Sequence, residues 1–536
     1  MTVRMNAKSM YWLLCASFIA LLLSGIAVMG VKMAEAAQLP LTGATNQHDP
    51  TLFKDGDTYY ISATGGGLYR SNSLNGPWIN IGSVPKANWT NEVSRGGLWA
   101  PHVQKIGDTF YYYYSQSNFG TNNSAIGVKT TKTPGDPSSW QDLGRPIISS
   151  GTMSHLTGET HTTMNAIDAA VHQNQDGKWW IVWGSHFDGI YIQQLEDDLV
   201  TLVPGTRKLV ASRGSERFPV PQPNFNRIEG PSIFERDGYF YLVVAWDWCC
   251  RGNGNDNTYK VVVGRSKTID GPYLDKGGVD MAQGGGSIIL NSRAALEGVT
   301  PAGLYRAPGG MDFFIENGTY YMVYHAYRPQ SVLGIREVDW HGHWPVFYED
   351  NGSPYDLRDG AYYKLVNQDG TIADPNSLQN PVVSNRCLTA EQAGNKGDAD
   401  VVQAECSDSQ EQIWQLERED DGFYRLRSVL DDRSYCLTMD NASGADHTDV
   451  SLKPCRGGDN PLQQWYFDDT GHGFHRLVVK KANLALEIEN DNGVVGTDVV
   501  GNYRRDGDHQ AGNLTQAAKW PPQQWRLVMV DPSELN

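Results

Sequence analysis

The 536-residue sequence predicts an all-β chain in two parts, a five-bladed β-propeller followed by a smaller β domain of threefold repetition. Three observations predict it. One hairpin signature recurs five times before residue 350, a different motif recurs three times after residue 360, and the composition suits short strands joined by tight turns. There are 57 Gly against 26 Pro, with 16 Trp and 26 Tyr. That mix favours pleated strands and ring-shaped ligands over long helices. A chain of this length is too long for one ordinary core, so at least two domains are expected.

An address precedes both repeats. Arg4 and Lys8 lead into an apolar run from Tyr11 to Met29, and Ala34-Glu35-Ala36 follows. This is the pattern of a secretory signal, residues 1–36, cut after Ala36. An uncleaved anchor is the competing reading, because the run approaches spanning length. After cleavage no membrane contact is expected, and the mature chain is expected to be an extracellular or periplasmic monomer.

The first repeat occupies residues 37–350. Its copies run from Asp49-Pro50-Thr51-Leu52 to Gly56 and Tyr59-Tyr60, and from Ala100-Pro101-His102-Val103 to Gly107 and Phe110-Tyr111. The third passes from Asp168-Ala169-Ala170-Val171 to Gly177 and Trp179-Trp180. The fourth runs from Glu229-Gly230-Pro231-Ser232-Ile233 to Gly238 and Phe240-Tyr241, and the fifth from Gly310 to Gly318 and Tyr320-Tyr321. Alternating residues around Asp-Gly and Asn-Gly turns read as hairpins. The spacing of the marker glycines leaves room for one four-stranded blade per copy. Five such blades arranged radially make a propeller, whereas a sandwich has no need of five equivalent hairpins.

The second repeat occupies residues 360–530. Tyr363-Lys364-Leu365, Tyr424-Arg425-Leu426 and His475-Arg476-Leu477 open its copies, and Gln412-Ile413-Trp414, Gln463-Gln464-Trp465 and Gln523-Gln524-Trp525 close them. No copy can bury a core alone, but three about a common axis can, with the closing tryptophans inside. Cys387 and Cys406 are 19 positions apart, as are Cys436 and Cys455. The repeated spacing predicts two equivalent disulfides, Cys387–Cys406 and Cys436–Cys455, and fits an oxidising compartment. No short Cys/His spacing accompanies them, which argues against zinc. Cys249-Cys250 stands apart, and a strained vicinal disulfide and a pair of free thiols are both open to it.

Charge and carboxylate placement narrow the function. A formal charge of −17 argues against nucleic acid, which is bound by neutralising phosphates, and is compatible with a neutral sugar polymer. Asp49, Asp168 and Glu229 begin copies one, three and four, so the propeller would bring them to one end of the central channel. Glycoside hydrolysis needs two carboxyls, one to protonate the leaving oxygen and one to activate water or attack. A third can hold the acid's proton by like-charge repulsion. Strand-start residues binding backbone amides are the competing explanation.

Residues 47–349 resemble glycoside hydrolase family 43, in its arabinanase branch. The resemblance rests on His48-Asp49-Pro50, Trp99-Ala100-Pro101-His102-Val103, Asn165-Ala166-Ile167-Asp168, Gly184-Ser185, Glu229-Gly230-Pro231, Cys249-Cys250-Arg251-Gly252 and Tyr324-His325-Ala326-Tyr327. It implies an inverting endo-hydrolase of α-1,5-arabinan with Asp49 as general base, Glu229 as general acid and Asp168 tuning and orienting that acid. It also implies a metal, often calcium, in the channel near His325. An imidazole is an unusual direct ligand for so hard a cation, so contact through water is expected. Trp99 is a candidate for stacking on a sugar, and His102, Ser185 and Asn165 are candidate substrate contacts. The branch usually carries Gly-Pro-Gly-His where this chain has Ala307-Pro308-Gly309-Gly310, which leaves the outer subsites and the endo or exo mode open. An exo-acting α-L-arabinofuranosidase or β-xylosidase of the same family, and a non-catalytic sugar-binding protein, are the alternatives.

Residues 360–530 resemble the ricin B-type β-trefoil, a carbohydrate-binding module. Such modules hold sugar through an Asp just after the Cys-Leu pair. Thr389 and Thr438 stand there in copies one and two, and Glu487 in copy three, making Glu487 the candidate sugar contact of this domain.

Overall fold

The computed structural model describes residues 38–530 apart from 214–225, 252–256, 291–305, 328–329, 348–356, 358, 369–382, 392–398, 420–422, 431–433, 457–459, 472–473, 483, 490–496, 504–522 and 524. The predicted signal lies outside the described residues.

Four antiparallel sheets of four strands and one of three make the first part. Blade one holds β1 (Thr51–Asp55), β2 (Thr58–Ala63), β3 (Gly67–Ser71) and β4 (Ile79–Ser83), and blade two β5 (Trp99–Ile106), β6 (Thr109–Gln116), β7 (Ser124–Thr131) and β8 (Gln141–Ser150). Blade three holds β9 (Ala170–Gln173), β10 (Trp179–Trp183), β11 (Ile190–Gln194) and β12 (Lys208–Ala211). Blade four holds β13 (Ile228–Arg236), β14 (Tyr239–Trp246), β15 (Lys260–Ser266) and β16 (Ser287–Leu290). Blade five holds β17 (Arg306–Glu316), β18 (Thr319–Tyr327) and β19 (Ser331–Glu337). Within each blade the strands pair in sequence order. The marker glycines form the first hairpin turn of each blade, with φ between +57° and +81°, and Asp237 and Asn317 before two of them are also left-handed. In four blades this is a two-residue turn, which requires positive φ to follow the strand twist; in blade three Gly177 lies in the longer Asn174–Lys178 turn.

The ring closes. The first strands β1, β5, β9, β13 and β17 neighbour one another in cyclic order about the axis. Separate apolar clusters fill the spaces between blades: Phe53, Leu68 and Tyr112 between one and two, Ile126, Val171 and Trp183 between two and three, and Val182, Leu242 and Trp246 between three and four. Tyr241, Val263 and Met322 lie between four and five, and Leu52, Ile61 and Val323 between five and one. The chain's start completes the last blade, where Gln38 bridges Arg336 and the Leu39 N–H donates to the Ile335 carbonyl at 2.9 Å. The five-bladed expectation therefore holds, with the outer edge of blade five covered by the N-terminal segment.

The second part is a threefold array of twelve strands, four per copy, between Tyr362 and Val530. Trp414, Trp465 and Trp525 are fully buried in one core, as expected. Their indole N–H groups donate to the carbonyls of Leu388 (3.1 Å), Leu437 (3.0 Å) and Leu486 (3.0 Å). The glutamine two residues earlier repeats a second bond: Gln412 to Thr389 (3.0 Å), Gln463 to Thr438 (2.9 Å) and Gln523 to Glu487 (2.6 Å). Cys387–Cys406 and Cys436–Cys455 are both formed. Glu487 is 2% exposed, so the expectation that it meets sugar is corrected. It is the copy-three counterpart of Thr389 and Thr438, an internal acceptor for the Gln-x-Trp glutamine. A Trp465→Ala change should destabilise the trefoil by about 3–5 kcal/mol, the cost of emptying a large aromatic site. Chemical denaturation should show that transition moving while activity on short oligosaccharides is kept.

Candidate active site

One position in each inner strand builds the site. Asp49, Ala100, Asp168, Gly230 and Gly310 hold the same repeat position, just before β1 and β9 and within β5, β13 and β17, and all have left-handed φ, between +36° and +60°. Only glycine adopts this freely, and aspartate tolerates it better than most residues. Each non-glycine residue held there costs of order 1–3 kcal/mol, a cost that persists where surroundings over-determine it and often marks function. The expectation that Asp49, Asp168 and Glu229 share one place is thereby corrected. Glu229 lies one residue earlier, in the place of His48 and Trp99, because Gly230 takes the left-handed position in blade four.

Asp49 sits half-buried at the mouth. Thr64, just past β2, donates to its Oδ2 at 2.8 Å and accepts the Ala100 N–H at 3.0 Å, tying blades one and two together. His325 Nδ1 is 3.2 Å from Asp49 Oδ1, and His48 Nε2 is 3.4 Å from Oδ2. Burial alone would raise the Asp49 carboxyl. His48, His325 and Thr64 outweigh it and hold the group well below the usual carboxylate range. His48 is itself pushed down to about 4, mainly by burial, so at working pH it is a neutral imidazole and Asp49 is ionised. Gly310 makes room for this arrangement, since a Cβ there would lie 2.1 Å from Asp49 Oδ1. The Gly-for-His departure therefore bears on the base itself, and not only on outer subsites as the sequence suggested.

Glu229 is reached by two hydroxyls. Ser185 donates to Oε2 at 2.6 Å and Tyr259 donates to Oε1, with His186 Nε2 3.6 Å from Oε1. Asp168 accepts the Gly230 N–H at 3.2 Å, and its own N–H donates to Ser115 Oγ at 2.9 Å. Its carboxyl is raised well above the ordinary value by burial, then by the charges of Glu229 and Asp49. Burial and these like charges thus favour the protonated form of Asp168. The two carboxylates meant for acid and base do converge: Gly230, next to Glu229, packs on Gly310, and Gly310 packs on Asp49.

The remaining candidates divide. Trp99, half-buried at the start of β5, stays at the mouth beside Ala100. His102 does not. It is 9% exposed, with Nδ1 3.0 Å from Asp312 Oδ2, so it is an axial rather than a rim residue. Thr51 and Ser232 also donate to Asp312, at 2.6 and 3.0 Å. Thr51, His102, Ser232 and Asp312 each lie two residues after the left-handed position of their blade, and their bonds join the inner strands below the mouth. Ser185 and Asn165 are buried, Ser185 on Glu229 and Asn165 on Ser124 at 2.8 Å. Their burial and these bonds turn them away from a sugar: Ser185 holds Glu229, and Asn165 ties its loop to β7. Sequence reasoning missed Thr64, His186, Tyr259 and Asp312. Asp312, at the start of the fifth copy, was the only one with a positional signal.

A channel cation was expected near His325, which is fully buried and whose Nε2 has no hydrogen-bond partner among the described residues. The Asp49 N–H donates to His325 Nδ1 at 3.2 Å, so in the neutral ring Nε2 carries the proton and is a buried donor that a channel water would accept. Direct ligation by His48, Asp49 and His325, which lie close enough together, fits calcium poorly, since two nitrogens and one oxygen suit a softer ion. It would also occupy the base.

Comparison with known proteins agrees with the geometry. The model of glycosyl hydrolases family 43 matches residues 42–345, and that of the ricin-type beta-trefoil lectin domain matches residues 375–511. The chain belongs to glycosyl hydrolase family 43. It is 34% identical to an extracellular endo-alpha-(1->5)-L-arabinanase of Bacillus subtilis, over 61% of this chain and 95% of that protein. It is equally 34% identical to an extracellular exo-alpha-(1->5)-L-arabinofuranosidase of Cellvibrio japonicus, over 62% and 94%. The solved endo-1,5-alpha-L-arabinanase of Thermotoga petrophila shares the fold over 87% of this chain and all of its own, with TM-score 0.52 at 20% identity.

The two aspartates should act oppositely on stability. A carboxyl raised in the folded state costs stability above the ordinary value of about 3.9, and a depressed one adds stability there that is lost as pH falls through its folded value. Asp168→Asn should therefore raise the melting temperature at pH 7, with the gain vanishing below about pH 4. Asp49→Asn should lower it at pH 7. Thermal scans across pH 3–8 check both signs.

Proposed function

We propose that this chain is a secreted endo-acting α-1,5-L-arabinanase that hydrolyses its substrate with inversion. The observation that carries the reading is the convergence of an ionised Asp49 and a hydroxyl-bound Glu229 at one mouth of a family 43 propeller, beside a third carboxyl that retains a proton. In a single displacement, Asp49 takes a proton from water as that water attacks the anomeric carbon. Glu229 delivers a proton to the departing glycosidic oxygen. Asp168, bound to the Gly230 N–H, orients the acid's backbone, and its own carboxyl, favoured in the protonated form by burial and by the charges of Glu229 and Asp49, is a proton source at that corner. Inversion requires the two carboxyls to stand about 6.5–9.5 Å apart, with room for the attacking water between them.

Trp99, half-buried at the start of β5, would stack on a sugar next to the scissile bond. A calcium ion, reached from His325 Nε2 through water, would add positive potential beneath Asp49 and so keep the base ionised. The names of the relatives support arabinan as substrate and an extracellular setting, and the N-terminal apolar run supports export. The trefoil serves as a tether that raises local substrate concentration.

Glu229→Gln and Asp49→Asn should each lower kcat on linear arabinan by about 10³-fold or more with folding intact, as loss of a general acid or base requires. Chromatography of early products from debranched arabinan should show mixed oligomers. Arabinose alone would instead identify the exo activity carried in the name of the Cellvibrio relative. Deleting residues 360–530 should spare turnover of short soluble oligosaccharides and depress that of insoluble arabinan, and an equal loss on both would assign the trefoil a structural role.

A further inference from the structure

Cys249-Cys250 has no part in the proton transfers above, yet it lies between the groups that make them. The two residues are disulfide-bonded to each other. Cys249 Sγ is 3.7 Å from Glu229 Oε1, the oxygen that Tyr259 also reaches. Cys250 Sγ is 3.4 Å from His48 Nε2, the nitrogen 3.4 Å from Asp49 Oδ2. Glu229, Cys249, Cys250, His48 and Asp49 thus form one contact chain from acid to base.

The loop carrying the disulfide is anchored on several sides. Asp247, before it, is ion-paired with Arg213 (3.1 Å) and Lys260 (2.6 Å). The Trp248 ring lies 3.7 Å from the Arg251 guanidinium and 5.2 Å from the His186 ring. The Cys250 N–H donates to Tyr327 OH at 3.1 Å, and the Arg251 N–H donates to Asn257 Oδ1 at 2.8 Å. Cys249 packs on the apolar cluster between blades four and five, while Cys250 is exposed at the mouth. A disulfide holds its sulfurs at bonding distance, does not titrate and donates no hydrogen bond. Two thiols would separate to van der Waals contact and could ionise next to the carboxylates.

We propose that the Cys249–Cys250 disulfide is a positioning element, a covalent spacer that sets the distance between Glu229 and His48–Asp49. This rests on the assignment of Glu229 as acid and Asp49 as base. The spacer acts through those two groups. Its loss therefore falls on turnover more than on substrate binding, because small misplacements of reacting groups are expensive in rate.

The test reduces the folded full-length protein with tris(2-carboxyethyl)phosphine. The disulfide takes up two electrons and two protons to give two thiols, and the phosphine, with oxygen from water, becomes its oxide. Alkylation and peptide mass mapping then verify that Cys249 and Cys250 are open while the pairs of buried Cys387 and buried Cys436 remain closed. On a linear arabino-oligosaccharide, kcat should fall by about 10- to 100-fold while KM changes by less than about 3-fold. The melting temperature should hold, and reoxidation with oxidised glutathione should restore the rate. A Cys249→Ser/Cys250→Ser variant should show the same loss and no response to the phosphine. Full turnover by the selectively reduced protein would overturn the proposal, and that measurement decides even where the double variant does not fold. Glu229→Gln run in parallel separates the two readings. If it is inactive while the reduced protein works at full rate, the spacer alone fails. If it keeps wild-type turnover, the acid assignment fails and the spacer falls with it.

Discussion

The backbone turn at the entrance to each inner strand governs this molecule. Five blades packed face to face leave five such turns around one axis, and each passes through a left-handed residue. Glycine occupies two of them without steric cost, alanine a third, and aspartate the remaining pair. The aspartates are held where solvent exposure is limited and like charges are near. That placement opposes stability, and the interblade apolar clusters offset it collectively.

Opposite electrostatic outcomes follow from small differences around the same turn. At Asp49, two imidazoles and a hydroxyl favour the charged form. At Asp168, burial and neighbouring carboxylates favour the neutral one. One repeated geometry therefore yields a ready base and a proton reserve within a single opening. Below them a second ring position is spent on cohesion: Asp312 collects Thr51, His102 and Ser232 from three other blades. Burial would raise this carboxyl, but His102, Thr51 and the Phe313 N–H hold it below the ordinary range. It remains an anion that ties blades together at the axis.

The trefoil applies the same economy of repetition to packing. Each copy places one indole N–H on a backbone carbonyl and one glutamine on a side-chain oxygen, that of Thr389, Thr438 or Glu487. Glu487 misled because its chemical type is that of a sugar ligand, while its register is that of Thr389 and Thr438. Register decided, since in every copy the position bonds the Gln-x-Trp glutamine while its strand neighbours face the core.

Repetition, periodicity and cysteine spacing are properties of a linear string, so the blade count, the threefold array and two of the three disulfides were legible in it. Asp49, Asp168 and Glu229 were legible too, because repeat position maps onto ring position. The sequence could not reveal that Glu229 is displaced by one residue, that His102, Asn165 and Ser185 face inward, or that Gly310 abuts the base. Nor could it show Tyr259 on Glu229 or a vicinal disulfide between acid and base. Those facts depend on bulges, φ signs and contacts between residues up to 276 positions apart. They arise only when the ring closes and each side chain's direction becomes fixed.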